Sequence, residues 1–256
     1  GIRDSVASRG LGDVYKRQLL GSAEREVILS YSRARKNLTL VAEIVLEEAF
    51  RMAMKKLDRR FGNSLKQLED PLCFAIIGLG KLGGRELTYH SDLDLIIVHS
   101  GKSKASQNDR LLIQEYGVKL IQRTIFLLTT ITHSGFAYTM DTRLRPSGNA
   151  GVLVTPLEVY FKYHRNSQAW EHQALVKGRI VAGATTQLES KGLVETIGEF
   201  SKPGWYEEVE SGIEQAAYER ETPKDLASQI HHLRSRKEKE LSAENLYISE
   251  KNKKWF

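Results

Sequence analysis

The tightest constraint on this chain lies in a short interval. An apolar run from Cys73 to Ile77 feeds a glycine-rich turn, Gly78-Leu79-Gly80-Lys81-Leu82-Gly83-Gly84, and a second apolar run opens at Asp92-Leu93-Asp94 and continues to His99. Residues 85–91 are all that separate the turn from those acids. Successive side chains alternate faces along a strand, so Asp92 and Asp94 point the same way. Two like charges side by side in an apolar strand are costly unless something cationic sits between them. A divalent metal meets that need, and a glycine turn beside it, able to cradle phosphate, points to metal-assisted chemistry on a nucleotide.

The turn formally matches the G-x-G-x-x-G dinucleotide pattern. That pattern requires a crossover helix after the glycines and an acid at the end of the next strand. Here the next strand follows almost at once and its acids stand at its beginning, so a nicotinamide site is disfavoured. No Gly-Lys-Ser/Thr closes the turn, so it is not a P-loop either.

Around this interval the chain reads as helices, then a small mixed sheet with an embedded helix, then helices. That is an α+β order, not a regular βαβ array. Residues 19–70 form an N-terminal helical segment, in which Leu46, Phe50, Ala53 and Leu57 recur at helical spacing and Gly62 is a plausible stop. Residues 71–182 form the core that carries the chemistry. Residues 183–256 form a further helical segment, with Leu226, Ile230, Leu233 and Leu241 marking its last amphipathic helix. Residues 1–18 are set aside, either as a disordered arm or as an assembly artefact. Asp13-Val14-Tyr15-Lys16-Arg17-Gln18 reads as the translation of a transposon-type sequencing adaptor.

Within the core, a helix is expected over 109–128 and a third strand over 136–145. Alternation puts Phe136, Tyr138, Met140 and Leu144 on a packing face. It puts Asp141, Arg143 and Arg145 on the other. After the turn Pro146-Ser147-Gly148-Asn149, a short strand is expected at 152–154. A helix then starts with Thr155 as N-cap, Pro156 first inside and Glu158 closing a capping box. A further helix is expected from Ser167 to Val181.

Asp141 changes the weight of the acid pair. Three carboxylates can hold two Mg²⁺ ions roughly 4 Å apart, one activating an attacking oxygen and one neutralising a triphosphate. Arg143 and Arg145 are either ion-pair partners of the acids or a clamp on phosphate oxygens, and both roles can hold together. Lys81 is either a solvated turn residue or a phosphate contact. Trp170 reads as core, and Glu171 and His172 as supporting or surface groups rather than metal ligands.

The bulk numbers agree with an enzyme of this kind. Apolar content of 41% and charged content of 27% fit a globular chain. The net charge of +6 suits polyanionic ligands, but its basic residues are dispersed, with no basic stripe and interleaved aromatics to mark a nucleic-acid binder. No apolar run is long enough for a membrane span. With Cys73 the single cysteine no intrachain disulfide can form, and a cytoplasmic location is expected.

These residues carry a resemblance. Gly-Leu-Gly-Lys-Leu-Gly-Gly-Arg-Glu-Leu at 78–87, leading into Ser-Asp-Leu-Asp-Leu at 91–95, resembles the glutamine synthetase adenylyltransferase family. So do the Asp-Thr-Arg-Leu-Arg-Pro-Ser-Gly-Asn-Ala-Gly run from 141 and Ala-Trp-Glu-His-Gln-Ala-Leu-Val at 169–176. The resemblance implies a polymerase-β-like nucleotidyltransferase fold, with Asp92, Asp94 and Asp141 as ligands of Mg²⁺. It implies Gly80, Lys81, Gly83, Gly84, Ser91, Arg143 and Arg145 as contacts of the nucleotide, ATP.

The family's full-length enzyme has two such domains. One moves AMP from ATP to a tyrosine hydroxyl of glutamine synthetase, and the other removes it by phosphorolysis. The Trp-Glu-His-Gln-Ala-Leu wording is similar to the AMP-adding, C-terminal domain. A nitrogen-sensing PII-type signal protein is an implied partner of the full-length enzyme. Two departures stand out. Gly178 takes the place of a usual alanine, in what reads as a helix interior. The chain also ends before the segment that normally follows, so a fragment is expected. Three alternatives remain: the removing reaction, a fragment that only binds glutamine synthetase, and a nucleotidyltransferase acting on nucleic acid.

Overall fold

The computed structural model describes the backbone of residues 2–89, 91–102, 105–131, 133, 135–165, 169–185 and 204–219, with short stretches between 227 and 239; side chains are described from residue 30 onward. Helix α1 runs Ile2–Leu65 without the expected break at Gly62 and includes the residues set aside at the start. Strand β1 (Cys73–Gly78) leads into a single helical turn, α2 (Gly80–Gly83), and then β2 (Leu93–His99). Helix α3 (Gln107–Thr129) starts at Ser106, whose side chain accepts a hydrogen bond from the Asp109 amide. Then come β3 (Met140–Asp141), β4 (Thr155–Pro156), α4 (Leu157–His164), α5 (Ala169–Leu175), β5 (Arg179–Thr185) and α6 (Gly204–Glu214).

The sheet is small and mixed, which makes the chain α+β. Its order is β3-β2-β1-β5. Both neighbours of β1 run antiparallel to it, while β3 and β4 are parallel to β2 and share one of its edges. The connection across 85–91 thus joins antiparallel neighbours, which is why no crossover helix is needed.

Both faces of the sheet are covered, which explains the near-continuous apolar runs. Phe74, Ile76, Leu93, Leu95 and Ile97 pack with Leu46, Phe50 and Phe61 of α1 and with Tyr116, Leu120 and Ile121 of α3. The Phe61 and Tyr116 rings meet edge-on at 5.6 Å. Ala75, Ile77, Ile96 and Val98 face the other way, onto Leu157 and Tyr160 of α4, Leu175 of α5, and Tyr206, Val209 and Ile213 of α6. No described helix is long and apolar enough to cross a membrane.

Three expectations need correction. The helix expected from Ser167 to Val181 stops at Leu175, and 179–185 is instead a strand beside β1. The β-branched Ile180 and Val181 favour that state. Val181 fills a bulge where the register shifts opposite Ile76 and Ile77. Gly178 therefore sits in the tight link before β5, not in a helix, and a methyl group there would lie 2.9 Å from the Leu175 carbonyl oxygen.

The third strand shrinks to Met140–Asp141. Tyr138 and Met140 pack on the α1/α3 side, but Leu144 packs on the opposite side and Phe136 is exposed. The cause lies in Arg145. Its guanidinium donates to the carbonyls of Thr142 (2.7 Å), Asn149 (3.3 Å) and Gly151 (3.2 Å) and to the Thr142 hydroxyl, curling the chain after Asp141. Ser147 and Gly148 complete the curl at positive φ (63° and 55°).

Finally, strand pairing falls at Thr155–Pro156 rather than 152–154. Pro156 takes the N-cap position of α4, and proline has no side-chain acceptor, so the expected capping box does not form. The apolar positions Leu226, Ile230, Leu233 and Leu241 lie outside the described residues.

Candidate active site

The pairing of β2 with β3 assembles the acids. Leu93 pairs with Met140 and Asp94 with Asp141 in parallel register, and the Leu93 amide donates to the Thr139 carbonyl at 2.9 Å. Asp92 precedes the strand by one residue on the same face as Asp94. Asp92, Asp94 and Asp141 each offer a carboxylate oxygen, and these atoms lie within 4.8 Å of one another.

The electrostatics of this cluster are unequal. Burial, and then the charges of Asp92 and Asp141, raise the Asp94 carboxyl above its ordinary range, against the pull of Arg143 and Lys81. Asp141 moves the other way, held down first by hydrogen bonds from the Arg143 side chain. The Arg143 amide donates to Asp141 Oδ1 at 2.9 Å, and its Nε reaches both carboxylate oxygens. Arg143, Lys81 and Arg145 all act on the cluster, yet Asp94 stays raised, so a further cation among the three acids would lower its energy. The residues present fit a bound divalent metal: all three are hard oxygen donors, and Asp94 is strained by its neighbours.

The glycine turn forms the adjacent wall. Gly80 has φ +53°, and a methyl group there would sit 2.6 Å from Asp94 Oδ2. The Leu79 amide donates to the Asp94 carbonyl at 2.9 Å, tying the turn to β2. Gly83 abuts the link that leads into β5: a methyl group there would come within 2.1 Å of the Lys177 carbonyl oxygen. Gly84 donates back to the Gly80 carbonyl at 3.0 Å. Lys81 is exposed on the turn, near enough for Asp94 to feel its charge.

Of the other residues singled out, Ser91 uses its hydroxyl on the Thr88 amide (3.1 Å) and the Thr88 hydroxyl (2.9 Å), which closes the loop before Asp92. Arg143 is 72% exposed beyond its ion pair with Asp141. The guanidinium of Arg145 is engaged with its own loop. Glu171 and His172 are buried and are not members of the acid cluster; Glu171 accepts from the Tyr163 hydroxyl at 2.5 Å, and His172 Nδ1 lies 3.0 Å from the Ala216 carbonyl oxygen. The side chain of Trp170 lies outside the described residues.

Sequence reasoning missed the supports of the turn. Arg179 of β5 donates to the carbonyls of Gly83 (3.0 Å) and Leu82 (3.1 Å) and pairs with Glu43 of α1. Arg35 donates to the Glu86 carbonyl and Thr39 Oγ1 accepts from the Leu87 amide, both at 3.2 Å. Lys177 pairs with Glu86 at 2.9 Å. The β-branched run after Gly178 was the available sign of β5; nothing local signals Glu43, which is distant in sequence.

Comparison with known proteins shows the family. A family model described as glutamate-ammonia ligase adenylyltransferase matches residues 14–193. Relatives named bifunctional glutamine synthetase adenylyltransferase/adenylyl-removing enzyme include that of Haemophilus ducreyi, 38% identical over 166 residues, covering 63% of this chain and 17% of the relative. That of Hahella chejuensis is 43% identical over 152 residues, covering 57% and 16%. That of Nitrosococcus oceani is 41% identical over 178 residues, covering 66% and 18%. The chain therefore spans less than a fifth of the length of these relatives. With the match extending over most of its residues, the chain belongs to the glutamate-ammonia ligase adenylyltransferase family.

Proposed function

We propose that this chain carries a nucleotidyltransferase unit that moves AMP from ATP onto a tyrosine hydroxyl of glutamine synthetase, down-regulating that enzyme in nitrogen control. The observation that carries the reading is the convergence of Asp92, Asp94 and Asp141 beside the glycine turn, in a chain of this family. The catalytic core spans 71–182, between a helical segment at 19–70 and a C-terminal one at 183–256, with 1–18 outside it. The small mixed sheet, with acids at the start of β2 and on its neighbour β3, supports a polymerase-β-like fold. A PII-type signal protein would act on this site through the full-length enzyme, in the cytoplasm.

Asp92, Asp94 and Asp141 are the residues that would hold two Mg²⁺ ions, which would supply neutralisation of the triphosphate and a lowered pKa for the attacking hydroxyl. The tyrosine oxygen attacks the α-phosphorus, the bond to the β-phosphate oxygen breaks, and pyrophosphate leaves. Asp141, kept ionised by Arg143, is a steady ligand but a weak base, so it accepts the tyrosine proton only in passing. Gly80, Gly83 and Gly84 let the backbone approach the phosphates, with Lys81 and Ser91 flanking them. Arg143 offsets charge on the phosphates, and Arg145 shapes the loop that presents it. Catalysis is then mostly positioning plus fixed electrostatics.

The relatives' names pair adding with removing, and the Trp170-Glu171-His172-Gln173 wording favours adding. With Mg²⁺, ATP labelled at the α-phosphate and glutamine synthetase, the chain is expected to place label on a tyrosine. If no label appears but ADP forms from adenylylated glutamine synthetase and phosphate, the removing reaction replaces this reading. If neither occurs and calorimetry detects no Mg·ATP binding, the chain only binds its partner.

A further inference from the structure

We infer that Arg179 is a positioning residue for the nucleotide: it sets the glycine turn against the three acids, and Glu43 of the N-terminal helix holds Arg179 in place. The inference rests on the nucleotide reading of the turn given above. The turn is tied at both ends. Upstream, the Leu79 amide bonds the Asp94 carbonyl, and Gly80 lies against the Asp94 carboxylate. Downstream, the carbonyls of Leu82 and Gly83 both accept from one guanidinium, that of Arg179. The same Arg179 nitrogen that reaches Leu82 is ion-paired with Glu43.

Two carbonyls and a carboxylate shared by one planar group need a fork, and a lysine ammonium at the same place cannot reproduce it. Both partners are mostly shielded, at 23% and 18% exposure, so solvent competes weakly for them. The support reaches into the long helix, since Arg35 and Thr39 hold residues 86 and 87. The polar rows of α1 thereby become part of the nucleotide site, although no residue of α1 belongs to the acid cluster. A turn fixed in this way meets the phosphates already in shape, and loosening it costs affinity for the nucleotide rather than for the metal.

The test uses the full chain with Arg179→Lys and Glu43→Gln, measuring Mg·ATP affinity by calorimetry, Mn²⁺ binding to the acids by electron paramagnetic resonance, and the melting temperature. Arg179→Lys should weaken Mg·ATP binding about tenfold, and Glu43→Gln about threefold, the scale of one charge-assisted hydrogen bond and of a weakened ion pair. Mn²⁺ affinity should stay unchanged in both. Wild-type Mg·ATP affinity in Arg179→Lys overturns the inference, as does a parallel loss of Mn²⁺ binding, which marks a merely structural clamp. If Arg179→Lys does not fold, Glu43→Gln alone decides by the same split. A wild-type chain that binds Mn²⁺ but not Mg·ATP sinks the nucleotide reading, and this inference with it.

Discussion

The two ends of the same sheet solve opposite problems. At one end, where β1 finishes and β2 begins, Asp92, Asp94, Asp141, Lys81 and Arg143 gather, half-exposed and ionic. At the other, where β2 finishes, polar groups are buried and neutral. His99 is pushed down to about 4 by burial, its Nδ1 accepting from the Gly101 amide at 3.0 Å. Tyr206 donates to the Phe74 carbonyl at 3.0 Å, and Cys73 lies 3.4 Å from the Thr185 hydroxyl. A cavity of about 360 Å³ opens there, lined in part by Cys73, His99, Lys102 and Trp205. The acid end keeps like charges close together; the other end keeps its buried groups neutral and pairs the charge at its rim, as Lys102 does with Asp70 at 2.6 Å.

The sharpest way to break this contrast is Asp92→Asn or Asp94→Asn. Either should cut AMP transfer by roughly a hundred- to a thousandfold, as loss of a central electrostatic group does. Thermal melting should show the fold intact, and for Asp94→Asn no loss of stability, because burial and two acids already disfavour its charge. Near-normal labelling in either variant would remove the metal assignment.

Gly83→Ala attacks the same end through its backbone. The added methyl would meet the Lys177 and Gly78 carbonyl oxygens at 2.1 and 2.7 Å. Backbone on both sides cannot yield cheaply, so a loss of roughly 3 kcal/mol is expected by denaturant titration. A silent substitution would show that the turn is not pinned against the link before β5.

At the neutral end the measurement is pH. The His99 folded-state value of about 4 lies below its ordinary 6.5, so the unfolded chain takes up a proton first as pH falls. Stability is complete above about 6.5 and declines toward 4, by roughly 3 kcal/mol at pH 4 for this group. Buried His164, also lowered to about 4, adds in the same direction. His99→Gln should therefore remove the part of the decline that His99 contributes; an unchanged pH profile would show that His99 is not held neutral. The smallest effect serves as a reference away from both ends. At Gly62 an added methyl meets nothing within 4 Å, so Gly62→Ala in α1 should gain about 0.5–1 kcal/mol.

Much of the site was legible locally. The turn and the Asp92/Asp94 pair lie within a few residues of each other, and strand alternation puts the acids on one face without any tertiary contact. Asp141 was legible as an acid on a polar face, although that strand proved only two residues long. The limits of β3 were not legible, because the curl after Asp141 depends on Arg145 reaching forward to the Asn149 and Gly151 carbonyls. Strand β5 was read as helix because the pattern across 167–181 is compatible with either state. Its pairing with β1, far back in sequence, made the choice.

By itself, then, the sequence determined the two apolar runs on either side of the glycine turn, the like-facing acids Asp92 and Asp94 and the resemblance to the family, all carried by short-range patterns whose physics is complete within a few residues. Only the tertiary structure decided that β3 sets Asp141 beside Asp94, that Arg145 is consumed by its own loop, and that Arg179 and Glu43 brace the glycine turn. Each of those depends on partners brought together by burial of the two apolar faces of the sheet. The energy that aligns them belongs to the packed whole and to no single segment.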